Sequence, residues 1–194
     1  MDKEFFGFLK DAYESGLCNE YRDELRRCGD DKLLLMGLAM RQQSIPYIAT
    51  KLHDGVLTKE WVQNAFSGYL NGFILNDCDG VDGYKYTWYI DYDYANDLLV
   101  DVDVMHISFT KGAYVNVPIT RCPIIYVSND SDIRLSCDGF NNIKLYMFDT
   151  SKVTLDDIDS DTQVTIYKYS DSACVDYGRF CFGKIKEFNK ELRL

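Results

Sequence analysis

Seven apolar-x-apolar doublets run through the second half of the chain: Val115-Asn-Val117, Ile125-Tyr-Val127, Ile133-Arg-Leu135, Ile143-Lys-Leu145, Val153-Thr-Leu155, Val164-Thr-Ile166 and Val175-Asp-Tyr177. Their first members lie 10, 8, 10, 10, 11 and 11 residues apart. Polar turn segments precede most of them, among them Asn129 to Asp132, Asn141-Asn142, Asp149 to Lys152, Asp159 to Gln163 and Ser170 to Ser172. A short strand therefore alternates with a short turn, and two architectures use that pattern. A β-solenoid takes one strand per repeat and stacks successive ladders in parallel with the doublets inward. An antiparallel sandwich or meander also spaces its strands by roughly 8–12 residues. The solenoid is favoured, because each doublet holds the same place after its turn and because tight hairpins call for Asn-Gly or Asp-Gly. Asp138-Gly139 is the one such pair in this run. Two repeats then make one flattened coil.

A solenoid needs its ends covered. At the far end, Gly183 to Leu194, with Ile185, Phe188 and Leu192, predicts a capping strand or short helix. At the near end, residues 1–72 carry apolar residues at helical spacing and read as four or five short helices. Lys3 to Glu14 places Phe5, Phe6, Leu9 and Tyr13 on one stripe. Asn19 to Cys28 is stopped by Gly29, Lys32 to Gln42 can be capped by Asp30 or Asp31, and another helix starts at Ser44 with Pro46 in its first turn. Thr58 is placed to cap Lys59 to Leu70. The fold class expected is α+β: a helical head over 1–72, junction strands over 73–103, and a β-repeat region with its cap over 104–194, packed as one compact unit.

The junction is chemically distinct. Tyr84, Tyr86, Trp88, Ile90, Tyr92 and Tyr94 alternate with Lys85, Thr87, Tyr89, Asp91 and Asp93, the pattern of a half-buried strand. The aromatic parity is expected to face the core and the other parity to be exposed and acidic. The formal charge of the chain is −10. Residues 1–72 hold 9 basic and 11 acidic residues, whereas residues 77–103 hold eight Asp and one Lys, a net −7. A partner-binding face is therefore expected at Asp77, Asp79, Asp82, Tyr89, Asp91 and Asp93.

Recognised catalytic and metal patterns do not fit. Asp77 to Trp88 fails as a calcium loop, with Val81 at the fifth position, Asp82 at the sixth and Trp88 at the twelfth. Asp156, Asp157, Asp159 and Asp161 lack the tandem glycines of a calcium-binding repeat and read as solvated turn acids. There is no Gly-x-Ser-x-Gly, and Gly183-Lys184 lacks the rest of a phosphate loop. Only His53 and His106 are available as imidazole bases. Cys122 with His106 is the one nucleophile pair to consider, and a buried thiol beside a strand histidine is the simpler reading. No catalytic residue, metal or cofactor is expected. Seven cysteines without a CxxC pair suit free thiols in a reducing compartment. No apolar run is long enough to span a bilayer and the amino terminus lacks a signal-peptide pattern, so the expected location is cytoplasmic. The negative charge argues against direct nucleic-acid or anionic-membrane binding.

The segment Glu24-Leu-Arg-Arg-Cys28, with Phe148-Asp-Thr-Ser-Lys-Val-Thr-Leu155 and Val164-Thr-Ile-Tyr-Lys-Tyr169, resembles small uncharacterised proteins of gut Bacteroidota and their phages or prophages. Those pair a helical head with a tail repeating Asp-Asn-Ser-x-Val-x-Ala/Val, and this chain departs from them by insertions between its repeats. The resemblance implies no catalytic residues. It implies a non-catalytic protein-interaction or assembly protein of phage or mobile-element origin. A virion structural component or homo-oligomer is the alternative. A small-ligand sponge, an acidic decoy or an enzyme with an unrecognised site is the third.

Overall fold

The structure is a computed structural model that describes residues 19–29, 31, 58–65, 74–79, 85–91, 97–99, 102–118 and 122–191. Two helices are described. α1 (Asn19–Cys28) ends at Gly29, whose φ of 56° is the left-handed conformation a helix stop requires. α2 (Lys59–Ala65) starts where the Thr58 hydroxyl accepts the Trp61 amide at 3.2 Å. The helices expected over Lys3 to Glu14, Lys32 to Gln42 and from Ser44, and the stretch from Phe66 to Leu70, lie outside the described residues.

The rest is strand: β1 (Ile74–Asp79), β2 (Lys85–Ile90), β3 (Asp97–Leu99), β4 (Val104–Ser108), β5 (Lys111–Val117), β6 (Ile124–Ser128), β7 (Asp132–Cys137), β8 (Asn142–Met147), β9 (Lys152–Ile158), β10 (Gln163–Lys168), β11 (Cys174–Cys181) and β12 (Lys184–Asn189). One sheet has the order β1-β2-β4-β6-β8-β10-β12 and the other β11-β9-β7-β5-β3. Apart from the antiparallel pair β1–β2, every pairing is parallel. Even strands thus build one sheet and odd strands the other, and the chain winds as a β-solenoid whose turns are β4–β5, β6–β7, β8–β9 and β10–β11. The pairing offset is 20 residues at Ile124↔Lys144 and 21 at Gln163↔Lys184, which is two sequence repeats per coil. This excludes the antiparallel sandwich.

The interior is the doublets. Every doublet residue from Val115 through Ile166 is fully buried, in one cluster with Met105, Ile107, Ala113, Cys137, Met147 and Ile158. Burying a branched side chain of this size contributes about 1.5–3 kcal/mol, so this core holds the coils together.

The corners recur as well. Asp91, Phe109, Asn129 and Asp149 share a left-handed backbone, φ 54° to 59°, at the same corner of four successive turns. Asn and Asp tolerate that region better than most residues. Next to them Thr110, Ser131 and Ser151 stack at zero exposure, with Ala173 at the same position one coil later. The bonds Asp132 N to Thr110 O (2.8 Å), Lys152 N to Ser131 O (2.7 Å) and Cys174 N to Ser151 O (3.0 Å) carry the ladder round the corner. At Gly178 the chain bulges so close to β9 that a Cβ would stand 2.7 Å from the Asp156 Cα.

From Thr87 to Ile90, both faces of β2 are buried or half-buried. Thr87 and Tyr89 align with the interior residues Met105 and Ile107, whereas Trp88 and Ile90 align with His106 and Ser108 on the opposite face. Trp88 and Ile90 have no exposed surface, Thr87 is 3% exposed, and Tyr89 packs partly buried against the core. The expectation of one aromatic core face and one exposed acidic face is therefore corrected. Thr87 and Tyr89 turn toward the solenoid interior, and Trp88 and Ile90 form a second buried layer outside it.

Candidate functional site

Aromatic residues on the outer face of the even-numbered sheet fall into register along the solenoid axis. Trp88, His106, Tyr126, Tyr146, Tyr167 and Phe188 are successive cross-strand partners. Their ring centroids are 6.4 Å apart for Trp88–His106, edge to face, then 4.5, 4.8, 4.9 and 5.6 Å, stacked. Phe148 and Tyr169 stack beside them at 5.1 Å. Parallel pairing with nearly constant coil length makes such a ladder, because it sets like residue on like every 4.7–4.9 Å.

Burial falls along the ladder. His106 and Tyr126 are buried, Tyr146 and Tyr167 half-buried, and Phe188 exposed. At the buried end the Trp88 indole donates to Ser108 Oγ at 3.1 Å, and the Ser108 and Ser128 hydroxyls are 2.8 Å apart. His106 Nε2 is buried with no hydrogen-bond partner among the described residues, and desolvation lowers the imidazole pKa to about 3. His106 is enclosed and neutral, whereas Cys122 stands exposed at the surface. Desolvation likewise raises the Tyr146 phenol, helped by Tyr167 and Tyr169.

The exposed end is built differently. β11 and β12 are the last strands of their sheets, and among the described residues nothing pairs with their outer edges. The interior is closed there by a polar bridge. The Tyr177 hydroxyl on β11 donates across to Glu187 on β12, and Lys168 pairs with Glu187 at 3.1 Å. Burial and the Glu187 carboxylate push the Tyr177 phenol up to about 12, and the Tyr177 bond holds Glu187 below the usual carboxylate range. Around this bridge large apolar rings face solvent: Tyr177 at 54%, Phe180 at 53%, Phe182 at 66% and Phe188 at 43% exposure. Lys190 lies 5.9 Å from the Phe188 ring centre and 5.8 Å from that of Tyr167. Residues 174–191 hold Arg179, Lys184, Lys186 and Lys190 against Asp176, Glu187 and Glu191, so this end lacks the net negative charge of the protein as a whole. The predicted capping segment is thus a final strand that leaves its own edge open.

Of the residues expected from sequence to form a binding face, Asp77, Asp79, Tyr89 and Asp91 lie among the described residues. Asp77 and Asp79 lie on β1, the opposite edge of the same sheet. Tyr89 is turned toward the core. Asp91 sits at the first left-handed corner, ion-paired with Lys59 of α2. Asp82 and Asp93 lie outside the described residues. Among the described residues no group of acidic, histidine and cysteine side chains could hold a metal ion. Asp159 caps its own turn by accepting from Ser160 and the Asp161 amide, and Asp156 is 4.0 Å from Arg134. Cys28, Cys122, Cys137, Cys174 and Cys181 are free thiols. No helix among the described residues is long and apolar enough to cross a membrane.

Sequence reasoning missed the ladder and the open aromatic end. The ladder was signalled by aromatics 20, 20, 21 and 21 residues apart from His106 to Phe188, a period of two repeats. The open end was signalled by apolar residues at outward positions in the last repeat. The chain matches no known protein family, no curated protein and no solved structure.

Proposed function

We propose that this is a non-catalytic interaction or assembly protein whose working surface is the open end of the solenoid. One observation carries the reading: Tyr177, Phe180, Phe182 and Phe188 are exposed on and between two unpaired edge strands. Natural proteins blunt such edges or cover them, so large aromatic side chains left exposed there favour an interaction site. Tyr and Phe are enriched at interface cores. The outer face of the odd-numbered sheet, apart from Phe180 on its last strand, is the contrasting surface. Its charges are mutually paired, Lys152 with Asp176 at 2.9 Å and Lys111 with Asp130 at 2.9 Å. The resemblance to proteins of gut Bacteroidota and their phages supports an assembly role in that setting, with the cytoplasm of the host cell as its location.

The test compares two variants for binding a captured and identified partner. Phe180→Ser with Phe182→Ser removes aromatic surface at the open end, and Arg134→Ala alters the odd-sheet face. Circular dichroism establishes that both are folded. Binding is expected to fall at least roughly tenfold in the first, the loss of a hot spot, and to stay unchanged in the second. Equal binding by both, or turnover of a substrate by the purified protein, overturns the reading.

A further inference from the structure

We infer that the outer edge of β12 takes an extended, acidic segment of a partner protein as one more strand of the even-numbered sheet. This rests on the interaction reading above and names the chemistry of the partner. Two strands end the solenoid here, and they are not equivalent. β11 is bulged between Tyr177 and Phe180, and a bulge bends a strand away from a would-be neighbour. β12 pairs with β10 residue for residue from Lys184 to Asn189, in unbroken register. Five of its six residues are exposed, and no strand among the described residues pairs with its outer edge. It therefore presents a regular row of main-chain donors and acceptors that an extended peptide completes.

Charge sets what kind of peptide. The rings of Tyr146, Tyr167 and Phe188 stack on the outer face of this sheet, and side chains two residues apart on a strand share a face. Lys184 and Lys186 are therefore outward on β12, and Lys144 is outward on β8. Lys190 reaches the same face, with its ammonium 5.8 Å from the Tyr167 ring centre. None of these four lysines makes an ion pair among the described residues, and the outward positions of β8, β10 and β12 hold no carboxylate. Every other lysine whose side chain is described has a carboxylate partner. The unpaired ammonium groups of the described lysines are thus gathered on one face, beside the open edge.

Lysine on an edge strand also guards against indiscriminate pairing, and here it makes the edge selective. A strand laid along β12 sets its outward side chains beside Lys184 and Lys186, where like charges destabilise and opposite charges stabilise. On the inward side Ile185 is half-buried, and Glu187 is already held by Tyr177 and Lys168. The fitting strand therefore alternates acidic residues outward with an apolar residue inward. Single-stranded nucleic acid is the other polyanion for such a face, and the geometry disfavours it. The rings of Tyr146 and Tyr167 are stacked on their neighbours, so their faces are not free for bases. A phosphate backbone also offers no donor to the carbonyls of the edge.

Fluorescence anisotropy with the full chain tests the inference, using a labelled peptide that alternates Glu and Val over six residues, the length of β12. The peptide should bind the wild type. Lys184→Glu with Lys186→Glu, shown to be folded by circular dichroism, should bind it at least roughly tenfold more weakly, and Lys111→Ala on the odd-numbered sheet should bind it equally well. The same peptide with its backbone amides N-methylated keeps its charge but cannot pair as a strand, and should bind the wild type at least roughly tenfold more weakly. That comparison needs no protein variant. The inference is overturned if the wild type does not bind the peptide, or if the folded Lys184 and Lys186 variant binds it undiminished. Equal binding of the N-methylated peptide also overturns it, since charge alone would then be the attraction. So does tighter binding of labelled oligothymidylate than of the peptide, which would make the face a nucleic-acid surface. The interaction reading is judged separately, by whether Phe180 and Phe182 govern capture of an identified partner, and stands if they do.

Discussion

Two buried polar atoms without partners among the described residues, His106 Nε2 and Ser151 Oγ, show what the repeat demands of single residues. An unsatisfied buried polar group costs about 1–3 kcal/mol. His106 occupies a rung where the following coils have Tyr126, Tyr146 and Tyr167, between the indole of Trp88 and the ring of Tyr126. Its pKa is about 3 when folded against an ordinary 6.5. The unfolded chain therefore takes up a proton that the folded chain refuses. Stability from this site is complete above pH 6.5 and falls with pH until about 3, by about 1.4 kcal/mol per unit. His106→Phe should fold, and urea denaturation should show its advantage over the wild type widening as pH falls through that window. Parallel stability profiles for the two proteins would refute this. Ser151 stands where the next coil has Ala173 and no hydroxyl. Ser151→Ala is expected to be neutral or to stabilise by up to about 1 kcal/mol, and a loss above that in the same assay would mean the hydroxyl has a partner after all.

At the scale of the strand, the ladder separates residues that look alike in sequence. Tyr146 and Lys144 are both outward on β8, two residues apart. Tyr146 stacks on Tyr126 at 4.8 Å and on Tyr167 at 4.9 Å, while Lys144 is exposed. Tyr146→Ala should cost about 2–4 kcal/mol, combining partial burial with two ring contacts, and Lys144→Ala less than about 0.5. Thermal unfolding checks both, and equal losses would mean the stacking adds nothing. The same comparison explains what could be read from the sequence. The doublets gave away the interior, because inward positions of a strand tolerate only apolar residues and the spacing of two repeats equals one coil. The ladder was hidden because outward residues were read one repeat at a time, whereas parallel stacking relates every second repeat. On β2 the alternation rule gave the wrong inward parity, because it presumes one wet face. Here Trp88 and Thr87, on opposite faces, are both buried. The candidate site was least legible. Phe180 stands at an outward position, but that it and Phe182 lie on the last coil, with no further strand beside them among the described residues, is a property of the whole chain that no local pattern reports.

For the whole molecule, each coil touches only its neighbours, so stability is close to a sum of coil and interface terms. The central strands β6 to β9 each pair on both sides, while β11 and β12 pair on one. Their burial follows suit: β7 has four buried residues of six and β8 three of six, whereas β12 has Ile185 as its single half-buried residue and the rest exposed. Opening from the carboxyl-terminal end therefore breaks one interface, and opening at the middle breaks two. Native-state hydrogen exchange at low protein concentration should show protection rising from β12 through β10 to a plateau at β6 to β9, since local opening free energies range from near zero to the global value. Besides the strand ladders, the Tyr177 and Lys168 bonds to Glu187 oppose this fraying. Tyr177→Phe should lower protection in β11 and β12 while leaving β6 and β7 unchanged. Uniform loss along the chain would show instead that the solenoid opens as a single unit and that the bridge at its end stabilises every coil equally.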